Sequence, residues 1–366
     1  MKRVFLSLLA AFAWCGLAQA APVSSHPYLG VTYITDTVSG HKMHIVEIDL
    51  TAPGIGFAVT PASGTLNGIP ATSTQTTLNF LNQKQAQVAI NGNFFTPVGT
   101  TSSITANVVG LAASAGNVFS AFEQQPIVPP VPVTPDQSYA IVQYAPALNI
   151  DASNHAAIVH RDSNQPDNKH VLEPVTLYND ISGSAQIVTD GTVTIPTYSA
   201  SGPLYTNGTY SNSNSWYNTT RARTCVGLTQ DNKTLVLFTV DEAGGSSGMT
   251  VGDAASYMVN NLGVYNALNL DGGGSTTMAM QDPTTHIGSI VNASSDSTNS
   301  PIQGRLVALN LAVYAQPVPE PGTLTLLFVA AGAGAILITS RRKKATRTRI
   351  GLNQNNKTLS SRAIST

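Results

Sequence analysis

Apolar, β-branched runs bounded by polar and turn residues recur along this chain, the pattern of β-strands. Residues 31–34 and 44–50 are apolar, β-branched runs set between turn residues, and 54–60 continue that character. Residues 77–81 read as a short helix. A buried strand over 86–90 then runs into Asn91-Gly92-Asn93-Phe94-Phe95. Short strands at 108–111 and 118–122 suggest a meander, and strand character returns at 138–144, 171–177 and 186–195.

The sharpest pattern lies between residues 233 and 270. Leu235, Leu237 and Thr239 share one face and Val236, Phe238 and Val240 the other, so both faces are largely apolar, as in a central strand. Val251, Ala254, Ala255, Met258, Val259 and Leu262 then fall on one face of an α-helix. Thr250 and Asp253 have capping-box spacing, and Gly263 stands where a C-terminal cap belongs. Residues 265–270 form a further strand. Strand, helix and strand at this spacing predict a βαβ unit, and with it a mixed α/β (α+β) fold: a central mixed sheet plus antiparallel strands.

This pattern places two acids. Asp241 ends the first strand and Asp271 the second, so parallel strands would bring both carboxylates to one sheet edge, where open α/β sheets bind ligands. Adjacent strands would set them roughly 5–9 Å apart, the range of glycosidase acid pairs. Gly272-Gly273-Gly274-Ser275-Thr276 follows Asp271 directly. Such a turn lets backbone approach a ligand and can form an anion-binding nest, although a plain tight turn also uses glycine. It is neither a Walker loop nor a GxGxxG fingerprint.

The ends of the chain carry a different message. Met-Lys-Arg, an apolar run over 4–17 and Ala18-Gln19-Ala20 have the layout of a secretory signal peptide over 1–20. Residues 322–340 are uncharged and mostly apolar, long enough at about 28 Å to span a bilayer core. Arg341-Arg342-Lys343-Lys344 follows, which orients the preceding body away from the cytoplasm. A polar, basic tail occupies 345–366. Export through the Sec translocon, to the periplasm, cell surface or matrix with at least transient membrane anchoring, is the expectation.

Composition narrows the chemistry. Only 10% of residues are charged and the net charge is −1, so no basic face suggests nucleic acid. Cys15 lies in the signal segment, which leaves Cys225 as the only thiol of the body and rules out an internal disulfide. Five prolines within 126–135 favour an extended connector, and 199–220 reads as a long polar loop. His155, His160 and His170 sit in a polar stretch and read as surface residues.

Two resemblances add to this reading. Pro319-Glu320-Pro321, the apolar span and the basic cluster, together 317–344, resemble a PEP-CTERM sorting signal. That resemblance implies recognition by an exosortase and delivery to a polysaccharide-rich envelope. Separately, Arg223-Thr224-Cys225-Val226-Gly227, the strand ending in Asp241, Asn269-Leu270-Asp271-Gly272-Gly273-Gly274-Ser275-Thr276, Arg305-Leu306-Val307 and Asn91-Gly92-Asn93-Phe94-Phe95 resemble the phosphodiester glycosidase family. The likeness covers 28–315, with a poorly matching stretch over 122–217. It implies hydrolysis of the bond between a sugar's anomeric carbon and a phosphate oxygen.

Carried over residue by residue, the resemblance marks Asp271 and Asp241, read as catalytic carboxylates, with Asp241 alternatively the cap of its strand end. It marks Asn91, Arg223, Thr224, Gly272, Gly273, Gly274, Ser275, Thr276 and Arg305 as substrate-binding positions. Arg223 and Arg305 suit phosphate, and the glycine amides suit its other oxygens. Asn93 and Glu242 depart from the family's usual glycines and alter the lining of the expected pocket. No cofactor is required; oxygen ligands from Asp241 and Asp271 suit Ca²⁺ or Mg²⁺, but no motif demands a metal. The expected substrate is a sugar phosphate or polysaccharide. A non-catalytic polysaccharide-binding protein on the same fold is the alternative, whereas no Gly-x-Ser-x-Gly elbow or His-Glu-x-x-His helix supports another hydrolase class.

Overall fold

The computed structural model describes residues 21–97, 102–123, 141–195, 216–296 and 304–318. The contacts divide the chain after Pro317, and the first of the two units, which ends there, is the body described below. The expected signal peptide, the 126–135 connector, most of the 199–220 loop, the 322–340 span and the 345–366 tail lie outside the described residues. Among the described residues no helix is long and apolar enough to cross a membrane.

Two antiparallel sheets form the frame. The larger has eight strands in the order Val23–Tyr28, Val31–Val38, His41–Asp49, Thr234–Val240, Arg223–Thr229, Val264–Asn269, Ala185–Thr189 and Thr192–Val193. The second has five: Gly288–Ile290, Met278–Gln281, Val88–Asn91, Asn310–Tyr314 and Gly56–Val59. Both faces of the central strands, Thr234–Val240, Arg223–Thr229 and Val88–Asn91 among them, are buried. Val46, Ile48, Val226, Leu228, Leu235, Leu237 and Leu268 meet Val88, Ile90, Met278, Leu311 and Val313 in one core between the sheets.

Each sheet's other face is closed by a helix. Helix α1 (Thr77–Lys84) puts Phe80 and Leu81 against Ala89, Ala279 and Ala312. Helix α2 (Val251–Leu262) puts Val251, Ala254, Ala255 and Met258 against Ile45, Cys225, Val236 and Phe238. The α2 signals hold: Thr250 Oγ1 accepts from the Asp253 amide at 3.0 Å, and Gly263 caps the C-terminus at φ 63°. A smaller five-stranded sheet is built from Asn117–Ser120, Ala112–Ser114, Asn179–Ser182, Ala147–Ile150 and Ala156–Val159, so part of the poorly matching stretch is ordered β structure.

The expected class needs correction. The described residues are mainly β, 45% strand and 9% helical, and every strand pairing among them is antiparallel. The 171–177 stretch is loop apart from one bridge at Val171. The strands that flank α2 run the same way but are not neighbours, because Arg223–Thr229 lies between them and pairs antiparallel with each. Periodicity identifies elements but not the partner that slots between them; that partner lies in sequence before both.

Candidate active site

The inserted strand decides the site. Arg223 begins it at the same sheet edge where Asp241 and Asp271 end theirs, with Arg223 opposite Val240 and Cys225 opposite Asn269. Two inter-strand spacings of about 4.8 Å therefore separate the acid-bearing strands. Alternation also parts them: Asp241 continues the face of Leu235 and Leu237, which points between the sheets, whereas Arg223 shares the face of Cys225 towards α2. Asp241 is held by His44, Lys42 and the Ala293 amide, Asp271 by Ser275 and Gly272, so the two share no partner.

Asp271 is the perturbed acid. It is buried, and burial pushes its carboxyl up to about 6. A hydrogen bond from Ser275, the charge of Arg305 and the Gly272 amide pull the other way. Its backbone hangs on Asn91, whose Nδ2 donates to the Asp271 carbonyl at 2.9 Å, and its own amide donates to the Gly92 carbonyl at 3.3 Å. Asn91 Oδ1 accepts from Thr224 Oγ1 at 2.8 Å and from the Thr277 amide at 2.9 Å. Asn91 and Thr224 thus spend their side chains on locking the strand ends together.

Arg223 is fully buried. Its Nε donates to the Met249 carbonyl at 3.0 Å, and Nη2 to the carbonyls of Trp216, at 2.8 Å, and Thr219. Those bonds use three of its five N–H groups; Nη1 is buried with no partner among the described residues. No carboxylate pairs with it there, and burial lowers its pKa to about 10. The Trp216 ring lies 5.1 Å from the guanidinium and stacks edge-on with Phe94 at 5.8 Å.

The glycine turn packs tightly on these groups. Gly273 takes φ 60°, and a Cβ on Gly272 would sit 2.8 Å from the Ala222 carbonyl. The expected open nest is largely closed. Gly272 gives its amide to Asp271, Gly273 to the Ala222 carbonyl at 2.8 Å, Ser275 to Gly272 and Thr276 to Gly273, each of the last two at 3.2 Å. Thr276 Oγ1 is buried without a partner among the described residues. Arg305 lies against Gly274, paired with Asp296 at 2.7 Å.

The structure thus gathers Asn91, Arg223, Thr224, Asp271, the turn and Arg305 at one edge, and sets Asp241 apart. Asn93 donates to Gly183, Val109 and Ser182, and Glu242 binds Arg221 at 3.0 Å and the Ala222 amide at 2.9 Å. Trp216, His44, Tyr33 and the segment 292–296 escaped the sequence reading, and Phe94 entered it only as part of the motif that begins at Asn91. Only His44 left a signal, as a polar residue on the face of Val46 and Ile48. Among the described residues no three His, Cys, Asp or Glu side chains group to hold a metal ion.

A buried acid and a buried, incompletely bonded guanidinium beside one glycine turn make a site suited to proton or charge chemistry on an anionic substrate. The chain belongs to the phosphodiester glycosidase family, whose sequence profile matches residues 84–314. No curated protein matches it by sequence. Among solved structures it is similar to the catalytic domain of zebrafish N-acetylglucosamine-1-phosphodiester alpha-N-acetylglucosaminidase, auto-inhibited by its pro-peptide. The identity is 17%, the TM-score 0.51, and the match covers 82% of this chain and 86% of that one. A hypothetical protein from Synechocystis matches at 15% identity and a TM-score of 0.48, over 81% of this chain and 64% of that one. The zebrafish likeness supports the shared fold.

Proposed function

We propose that the protein hydrolyses the glycosidic bond of a sugar 1-phosphodiester, with Asp271 as the reacting carboxylate. The observation that carries this is a buried Asp271 carboxyl near 6 at the head of the glycine turn against which the buried Arg223, with its spare Nη1, also packs. Family membership supplies the reaction type.

The chemistry suits the groups. A phosphate is a weak base and leaves without strong general-acid help, so the site needs one carboxylate on the sugar side more than an acid pair. Ionised Asp271 would stabilise the oxocarbenium-like transition state or direct water to the anomeric carbon. Arg223 Nη1 would donate to phosphate oxygens, with Arg305 supplying further positive charge. Phe94 and Trp216 offer apolar surface beside them.

The sorting signal expected at 317–344 motivates a location, the envelope or matrix, and a substrate source, exopolysaccharide or envelope glycan phosphates. Exosortase processing and membrane anchoring are part of the same proposal. The non-catalytic alternative gains no observation of its own.

The test incubates the purified body with a panel of sugar 1-phosphodiesters, N-acetylglucosamine first, and measures free sugar against Asp271→Asn. Release by the wild type alone supports the reading. No release from any substrate ends it, and equal release by the variant ends the assignment to Asp271.

A further inference from the structure

Asp241 belongs to a network that the proposed reaction leaves unused. Tyr33 Oη and His44 Nδ1 lie 2.6 Å apart, and His44 Nε2 lies 3.3 Å from Asp241 Oδ2. Lys42 Nζ stands 3.7 Å from the same oxygen, and the Ala293 amide donates to Oδ1 at 2.7 Å. The His44 and Asp241 side chains are 3% and 1% exposed. The two ring nitrogens of His44 thus bridge the Tyr33 hydroxyl and the Asp241 carboxyl. That hydroxyl is pushed up to about 12 by burial and by Asp241, so it keeps its proton. With both oxygens engaged, Asp241 is poorly placed to meet a substrate.

Ala293 leads from this network towards Asp271. Its carbonyl accepts from the Glu242 amide at 2.9 Å, so the residue is gripped on both sides. Asn292 Oδ1 accepts from the Met278 amide at 2.7 Å, and its Nδ2 donates to the Thr276 carbonyl at 3.0 Å. Asp296 pairs with Arg305, and the absence of a side chain on Gly274 leaves room for both: a Cβ there would collide with Arg305 Nη2 and Asp296 Oδ2. The segment 292–296 therefore runs as a strap from Asp241 to the turn that follows Asp271.

We propose that Tyr33, His44 and Asp241 are positioning residues that hold this strap, and through Asp296 hold Arg305 against Gly274 with its charge towards Asp271. The proposal rests on the reading of Asp271 as the reacting carboxylate, but its test does not use turnover. The groups that act on Asp271 are Ser275, Gly272 and Arg305; Arg223 lies behind Gly272, and Asp296 behind Arg305.

The experiment follows the Asp271 carboxyl by NMR titration of ¹³C-aspartate protein. Its resonance is the one missing from Asp271→Asn, and the samples are wild type, Asp241→Asn, Arg305→Gln and the double variant. Loss of a negative charge at 241, acting directly, would lower the Asp271 pKa. Release of the strap predicts the opposite sign, a rise from about 6 by roughly half a unit or more. In the Arg305→Gln background that rise should vanish. A fall or no change in Asp241→Asn overturns the proposal, as does a rise undiminished without Arg305. Should Asp241→Asn fail to fold, Tyr33→Phe removes a single half-buried hydroxyl; a smaller rise is expected, and none overturns the proposal. Protein that titrates as expected but releases no sugar keeps the positioning network and sinks the hydrolase reading.

Discussion

Thr224 donates its hydroxyl hydrogen bond to the side-chain oxygen of Asn91 at 2.8 Å, joining the end of the second sheet to the start of the Arg223 strand in the first. The remaining polar capacity of Asn91 goes to the Thr277 amide and to the carbonyls of Gly92 and Asp271. One buried amide thus fixes the backbone from which the Asp271 carboxyl projects.

Asn91→Asp keeps the shape but turns an oxygen towards two carbonyls that now receive N–H bonds. A loss of roughly 2–4 kcal/mol is expected, because buried acceptors are left facing each other. Chemical denaturation measures it. A loss below about 0.5 kcal/mol would mean that the four bonds do not hold the junction.

Asp271 ties activity to pH. Turnover that needs its ionised form should rise with pH and level off above about 6. Its folded pKa lies above the ordinary aspartate value of 3.8, so its contribution to stability is full below that value and is lost as pH rises through about 6. Asp271→Asn should therefore cost roughly 10²-fold or more in turnover while leaving Tm at neutral pH equal or higher. A pronounced drop in Tm would recast Asp271 as a structural residue.

Asp180 offers the same linkage away from the site. It is fully buried in the strand Asn179–Ser182, opposite Asn149 and Ala113, and burial pushes its carboxyl up to about 8. Neither oxygen has a close hydrogen-bond partner among the described residues, and the nearby Tyr178 amide, which donates to Asn149, offsets little. Stability should fall as pH rises from the ordinary aspartate value of 3.8 to about 8. Asp180→Asn should flatten that slope and raise Tm at neutral pH, as read by thermal melts across pH. An unchanged slope would show that Asp180 is solvated in solution.

The glycines of the turn should separate by what they touch. A Cβ on Gly272 meets backbone, the Ala222 carbonyl at 2.8 Å, which cannot retreat. A Cβ on Gly274 meets the ends of two flexible side chains, Arg305 and Asp296. Gly272→Ala should lower stability by roughly 1–3 kcal/mol. Gly274→Ala should leave Tm within a few degrees and instead weaken the Arg305–Asp296 pair, with reduced turnover. Equal stability losses would contradict this division.

Much of the fold was legible along the chain. The period of two marked the strand around Leu235–Val240, and the spacing of Val251, Ala254, Ala255 and Met258 marked α2 together with both its caps. Local chemistry sets such features, and residues a few positions apart reveal it. The glycine turn after Asp271 was legible for the same reason, whereas the strand Arg223–Thr229 went unread and Arg223 entered only through the family resemblance.

What the sequence determined by itself is the set of amphipathic elements and the residue types gathered at their ends. Tertiary structure alone decided that Arg223–Thr229 slots between the two acid-bearing strands, making the sheet antiparallel and parting Asp241 from Asp271. It also decided that the amides of Gly272, Gly273, Ser275 and Thr276 are spent internally and that the 292–296 strap joins Asp241 to Arg305. These outcomes depend on pairing between segments tens to hundreds of residues apart, which a strand's own hydrophobic period does not encode.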